Sequence, residues 1–87
     1  MYKLHYHKRT EKQKQNLKSA NLLKKAKALV DLIERDPYKT PPKFKQLDYD
    51  LKGYYSRRIN RQHRLVYTVD EEKKEVRIHS MWSHYEF

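Results

Sequence analysis

Arg58 and Arg64 are the residues whose type and spacing point most directly to chemistry. Arg58 lies in an alternating segment over residues 55–59, and Arg64 lies in a second one over residues 63–69. If the apolar residues of both segments face a core, the two arginines project from the opposite, uncovered face of a sheet. Guanidinium groups match phosphate oxygens, so the pair predicts a phosphate-binding site. The simpler alternative is that both are solvated surface arginines.

The charge of the chain favours a polyanionic partner. Its 87 residues include 21 Lys and Arg against 11 Asp and Glu, which gives a net charge of +10. Nucleic acid is the first expected partner and an acidic protein the second. A membrane surface comes third, because we find no basic amphipathic helix with large aromatic anchors. Several of the eight tyrosines adjoin basic residues, an arrangement suited to stacking on unpaired bases, although most should serve the sheet and core.

The length and composition limit the architecture and exclude some chemistry. We expect a single domain over residues 1–87. No apolar run approaches the roughly 18 residues of a membrane span, and no signal peptide is evident, so a cytoplasmic protein is expected. The absence of cysteine excludes a thiol nucleophile and thiolate metal ligands. His5 and His7 share a strand face but have no obvious third ligand, so we expect neither a metal nor another cofactor.

Two helices are expected near the N-terminus, after a first strand. Alternation over residues 2–7 predicts that strand. Thr10–Gln13 reads as a capping box that opens the first helix, and a break is expected near residues 19–21. The second helix has an apolar face over residues 22–33 and ends at Asp36-Pro37.

The strands that carry the arginines follow these helices. A short strand is predicted over residues 44–49, and Gly53 should mark a turn with positive φ. Three further strands are predicted over residues 55–59, 63–69 and 76–82. The short connections favour antiparallel pairing. We therefore expect an α+β fold, a small twisted antiparallel sheet with two N-terminal helices packed on one face.

Two motifs resemble the YoeB/Txe toxins, which have the RelE-like fold. Residues 55–67, YSRRINRQHRLVY, resemble the family's SRRI-x-x-x-HRLVY block, and residues 82–85, WSHY, resemble its His-Tyr ending. Asp36-Pro37-Tyr38 is similar to the motif that closes the family's second helix, and residues 51–54 are similar to its Leu-x-Gly-aromatic turn. The resemblance extends from about residue 36 to residue 85.

This resemblance implies a ribosome-dependent endoribonuclease toxin that cleaves mRNA in the ribosomal A site through attack by the 2'-OH. It implies that Arg64 stabilises transition-state charge, that His84 transfers a proton and that Tyr85 orients the nucleotide. The expected RNA or phosphate contacts are Arg58, Arg57 and Arg61. The implied partners are mRNA, the ribosome and an acidic antitoxin of the YefM/Axe type, and a homodimer is a further expectation.

Lys45 departs from the family pattern. The family usually has a glutamate general base two residues before the leucine that matches Leu47, and this chain has Lys45 there. Lysine accepts a proton only when it is neutral. Three alternatives stay open: Lys45 stabilises charge while His84 is the base, another group such as one from the ribosome is the base, or cleavage is weak or absent. The last alternative describes a non-catalytic or weakly catalytic module that binds RNA, ribosome or antitoxin.

Overall fold

In the computed structural model, which describes residues 1–83, two helices cover one face of a five-stranded sheet. The helices are α1 (Arg9–Ser19) and α2 (Leu23–Arg35). The strands are β1 (Lys3–Tyr6), β2 (Phe44–Gln46), β3 (Tyr54–Arg58), β4 (Arg64–Asp70) and β5 (Glu75–Ser83). Within these residues no helix is long and apolar enough to cross a membrane.

The strand order β1-β5-β4-β3-β2 makes β5 and β4 central strands. Strands β2 to β5 pair antiparallel, whereas β1 runs parallel to β5. The expected α+β fold with both helices on one face is confirmed, but the sheet is mixed. Short connections impose antiparallel pairing only between consecutive strands. Because β1 and β5 are far apart in sequence, no hairpin dictates their relative direction.

The core lies between the helices and the inner face of the sheet. Its helical side consists of Leu17 from α1 and of Ala26, Val30 and Ile33 from α2, as the apolar spacing predicted. The sheet contributes alternate residues of the central strands, which are Leu65, Tyr67, Val76 and Ile78. The alternate residues of β4 that include Arg64 therefore face away from the helices.

The start of α1 differs from the predicted capping box. The N-cap position is Lys8, and no side chain caps the helix. The Thr10 hydroxyl instead donates to the His7 carbonyl at 2.7 Å. Gln13 reaches β5, where its Oε1 accepts from the Met81 amide at 2.8 Å. The side chains that suggested a reciprocal cap therefore serve other contacts, one of them with the sheet.

The strand predicted over residues 44–49 is shorter in the structure. β2 ends at Gln46, and residues 49–51 form a short 3-10 helix that begins at the 95 % exposed Tyr49. Gly53 then has φ +92°, as expected for the turn into β3. The break between the helices is also confirmed, since Asn21 has φ 65°.

Candidate anion-binding groove

A cationic groove lies at the open face of the sheet, beside its β2 edge. Its volume is about 650 Å³, and its lining residues are Pro42, Lys43, Phe44, Lys45, Arg58 and Arg64. Four of these six side chains are basic, and no acidic residue within 1–83 lines the groove. The groove is therefore suited to an anion.

Strand register places the predicted cations together. Arg58 of β3 lies directly opposite Arg64 of β4, and Lys45 of β2 lies directly opposite Ser56 of β3. Ser56 and Arg58 are two residues apart on one strand, so the four positions share the open face. Like charges directly opposite one another destabilise a sheet. A bound anion would offset that repulsion.

Ser56 fixes the orientation of Arg64. Its hydroxyl is fully buried and accepts a hydrogen bond from the Arg64 Nε. Arg64 itself is half-buried, whereas Arg58 and Lys45 are exposed. A guanidinium anchored through its Nε has less freedom to move away from the groove. The sequence did not single out Ser56, although its position two residues before Arg58 would have placed it on the same face.

Arg57 does not belong to the anion-binding set. Alternation along β3 turns it to the helix side, where its side chain is fully buried. Its guanidinium donates to Tyr67 Oη at 3.1 Å, the Pro42 carbonyl at 2.6 Å and the Pro37 carbonyl at 3.0 Å. The expectation that Arg57 contacts RNA phosphate is therefore wrong, because no phosphate can approach a guanidinium enclosed in this way.

Arg61 lies outside the groove lining, in the connection between β3 and β4. It is exposed in a turn that Asn60 stabilises by accepting from the Gln62 and His63 amides. The turn joins the strand ends that carry Arg58 and Arg64. A role for Arg61 in binding RNA therefore stays a prediction.

The predicted His84 and Tyr85 lie outside the described residues. The last described pairing sets Ser83 of β5 opposite Arg64 of β4. Nearby on the same strand, the Trp82 indole stacks on the His63 ring, with centroids 3.7 Å apart and planes 11° from parallel. Strand β5 therefore reaches the end of the sheet at which Arg64 lies.

The open face carries a neutral histidine away from the groove. His79 Nε2 is 2.9 Å from Thr68 Oγ1, and its ring centroid is 4.9 Å from that of Tyr54. Burial, followed by the charge of Arg77, lowers the pKa of His79 to about 4. His79 is therefore uncharged at neutral pH.

The two histidines considered as a metal pair have different partners. His5 Nε2 lies 3.4 Å from a Glu75 carboxylate oxygen, and His7 Nδ1 accepts from Arg9 Nε at 2.9 Å. Burial and the Arg9 charge lower the pKa of His7. Within residues 1–83 no three His, Asp or Glu side chains form a group that would hold a metal ion.

The fold and groove define a small α+β domain with a cationic groove on the open face of its sheet, and comparison with known proteins assigns its family. Residues 5–85 match the model of the YoeB-like toxins of bacterial type II toxin-antitoxin systems. The chain belongs to this family. It is 43% identical over 65 residues to a toxin YoeB from Synechocystis sp., a match that covers 75% of this chain and 73% of the relative.

Solved structures of similar proteins agree with this family assignment. The chain resembles a YoeB–YefM complex from Staphylococcus aureus with a TM-score of 0.79 and 33% identity, over 98% of this chain and 99% of the other. It also resembles a YoeB dimer from the same organism with a TM-score of 0.79 and 32% identity, over 97% and 98% of the two chains. The likeness in structure therefore extends over almost the whole chain.

Proposed function

We propose that this toxin is a ribosome-dependent endoribonuclease that cleaves mRNA in the ribosomal A site. The observation that supports the proposal best is the juxtaposition of Arg58, Arg64 and Lys45 at one groove, which no acidic residue among residues 1–83 lines. Cleavage of RNA by its own 2'-OH places growing negative charge on phosphoryl oxygens. Preorganised cations near those oxygens stabilise the transition state more than the ground state.

The reaction begins when the 2'-oxygen attacks the adjacent phosphorus and the bond from phosphorus to the 5'-oxygen breaks. The products are a 2',3'-cyclic phosphate and a 5'-hydroxyl. The proton of the 2'-OH passes to a base, and the leaving 5'-oxygen receives a proton from an acid. In our assignment Arg64, held by Ser56, faces the negative charge that develops on the phosphoryl oxygens, and Arg58 binds the phosphate. Tyr85 orients the nucleotide.

Lys45 supplies charge in this scheme and His84 carries the proton. Lys45 lines the groove, where its ammonium contributes to phosphate binding whether or not a proton moves. Histidine is suited to proton transfer because its ordinary pKa lies near neutrality. The site therefore differs from that of relatives with a glutamate at this position. In those relatives the general base is expected in β2, whereas here the strongest base is expected outside β2.

The helix layer offers a surface for the ribosome. Residues 8–27 contain eight Lys and Arg against one acidic residue, so they carry a net +7 of the +10 of the chain. All seven lysines among them are exposed. The helices cover the face of the sheet opposite the open face, so ribosomal RNA and message would contact different sides of the domain. Such binding should weaken steeply with salt.

An acidic antitoxin of the YefM/Axe type is the proposed protein partner. The similar protein from S. aureus is found in a complex with YefM and also as a dimer. An acidic chain would complement the groove cations electrostatically and deny them to RNA. It should be partly disordered alone and fold on binding. We also propose that this toxin forms a homodimer.

The second candidate function is a non-catalytic binder that arrests translation without cutting. Lys45 favours it, because the family's usual carboxylate base is replaced by a cation. In that case the groove would hold a phosphate and the message would stay intact. The two functions share a binding surface and differ only in the fate of the RNA.

One experiment separates these functions. The toxin is incubated with programmed ribosomes and with naked mRNA, the RNA ends are mapped, and Arg64→Ala and His84→Ala are run in parallel. We expect cleavage on ribosomes alone and its loss in both variants. Arrested translation with an intact message would support the binder, and cutting of naked mRNA would indicate a free nuclease.

The role of Lys45 has its own test. Lys45→Glu restores the carboxylate and Lys45→Met removes the charge without adding a base. If Lys45 stabilises charge, both variants cleave more slowly than the parent. A large gain in Lys45→Glu alone would show that the lysine impairs the site.

A further inference from the structure

We infer that Arg57 is a positioning residue whose buried guanidinium sets the wall of the groove. Its effect on cleavage rests on the proposed function, whereas its effect on the wall does not. The adjacent arginines Arg57 and Arg58 would then have different roles on the two faces of β3. Arg58 faces the bound anion, and Arg57 holds the chain that encloses it.

The Arg57 guanidinium connects β3 to the loop between α2 and β2. Its Nη2 donates to the Pro37 carbonyl at 3.0 Å, and its Nη1 donates to the Pro42 carbonyl at 2.6 Å. The two carbonyls lie at the start and near the end of this loop. A single planar group therefore fixes both ends of the segment over residues 37–42.

Tyr67 completes the arrangement from the neighbouring strand. Its hydroxyl accepts from Arg57 Nε at 3.1 Å and donates to the Pro37 carbonyl at 2.7 Å. The Phe44 ring lies 4.9 Å from the guanidinium carbon, within the range of a cation–π contact. The guanidinium is thus enclosed by oxygens and aromatic rings that belong to three separate parts of the chain.

The partners of Arg57 suit a permanent structural role. The side chain is fully buried, and neither of the two ion pairs found within residues 1–83 includes it. A buried charge is tolerated only when its donors are satisfied. Here neutral oxygens satisfy them, so the loop carbonyls must stay in place while the domain is folded. Loss of the guanidinium would release them.

The tethered loop leads directly into the groove wall. Pro42, whose carbonyl accepts from Arg57, and Phe44, whose ring packs on it, both line the groove. Pro42 lies two residues before β2 and Phe44 is its first residue; β2 has three residues and pairs only with β3 at the edge of the sheet. So short an edge strand has few hydrogen bonds of its own to fix it. The position of Lys45 in β2 therefore depends on the Arg57 contacts.

Lysine cannot reproduce this arrangement. Arg57 uses its Nε and both terminal nitrogens on three acceptors in different directions. An ammonium is a compact point charge and cannot reach all three from one position. Arg57→Lys therefore keeps the charge but loosens the loop. Arg57→Met also removes the charge, and Arg35→Met is a matched control because Arg35 is exposed on α2.

Amide hydrogen exchange provides the test that does not need activity. In Arg57→Lys, exchange of residues 38–46 should rise about tenfold, as expected for loss of one charge-assisted hydrogen bond, with β4 and β5 unchanged. Arg35→Met should match the parent. Unchanged exchange in residues 38–46, or an equal rise throughout β4 and β5, would overturn the inference. If the Arg57 variants fail to fold, Tyr67→Phe removes one tether and is judged by the same criterion.

Kinetics then test the consequence for the groove. Arg57→Lys should slow single-turnover cleavage on ribosomes by about tenfold or more and leave ribosome affinity nearly unchanged. Parallel losses in affinity and rate would contradict a positioning role. If the parent itself does not cut RNA, the proposed function fails, and the exchange experiment still decides the role of Arg57.

Discussion

Replacement of Ser56 by alanine should impair the groove without damaging the fold. The Ser56 hydroxyl accepts from Arg64 Nε and is fully buried, so RNA cannot contact it in place of the arginine. A hydrogen bond to a charged group contributes about 1.5–3 kcal/mol. If the transition state depends on this orientation of Arg64, cleavage should fall roughly 10- to 150-fold. Half-buried Arg64 can exchange the lost contact for water, so the melting temperature should change little.

Ser80 provides the matched control for this prediction. It is also a fully buried serine in the sheet, but its hydroxyl accepts from Gln13 at 3.2 Å and not from an arginine. Single-turnover cleavage on programmed ribosomes and thermal melting are measured for Ser56→Ala and Ser80→Ala. The reasoning is refuted if Ser56→Ala cleaves at the parent rate, or if Ser80→Ala loses as much activity.

Three further predictions concern stability and titration. Gly53→Ala should destabilise the domain by about 1–2 kcal/mol in urea unfolding because of the positive φ alone, since an added Cβ meets nothing within 4 Å; an unchanged midpoint would contradict this. Hydrogen bonds from Lys74, Tyr38 and Tyr2 lower the pKa of Glu71, so its stabilisation is present above pH 4.5 and is lost as pH falls through the lower folded value. The melting temperature of Glu71→Gln should therefore be lower than that of the parent at pH 7, and the difference between the two melting temperatures should narrow below pH 4.5. The pKa of His79, lowered by burial and Arg77 to about 4, implies stability that declines as pH falls from 6.5 to 4, and an NMR titration midpoint near 6.5 would be inconsistent with it.

Periodicity predicted the fold because each element has one apolar face. The spacing of Ala26 and Ile33 predicted the buried side of α2, and alternation in β4 placed Leu65 on the core side. The same alternation sends Arg64 to the open face, so this part of the site followed from the strand pattern. The parallel pairing of β1 with β5 did not follow, because no local signal specifies which distant strand an edge strand joins.

The error at Arg57 has a physical origin. Adjacent arginines in a strand face opposite sides, so Arg57 and Arg58 could not both point to the same phosphate. The alternation of side chains along a strand could therefore have shown, from sequence alone, that Arg57 and Arg58 lie on opposite faces of the sheet. It could not have shown that three oxygens from distant parts of the chain would satisfy a buried guanidinium. The roles of His84 and Tyr85 were implied only by resemblance, and they stay predictions because both residues lie outside the described part of the chain.

The central claim is that the 2'-OH of the message is the nucleophile, and a modified message tests it most directly. Ribosomes are programmed with two mRNAs that differ only in a 2'-O-methyl group at the cleaved position of the A-site codon. Our account predicts cleavage of the unmodified message, with 2',3'-cyclic phosphate and 5'-hydroxyl ends, and none of the methylated one. Equal cleavage of both messages, or of neither, would contradict it.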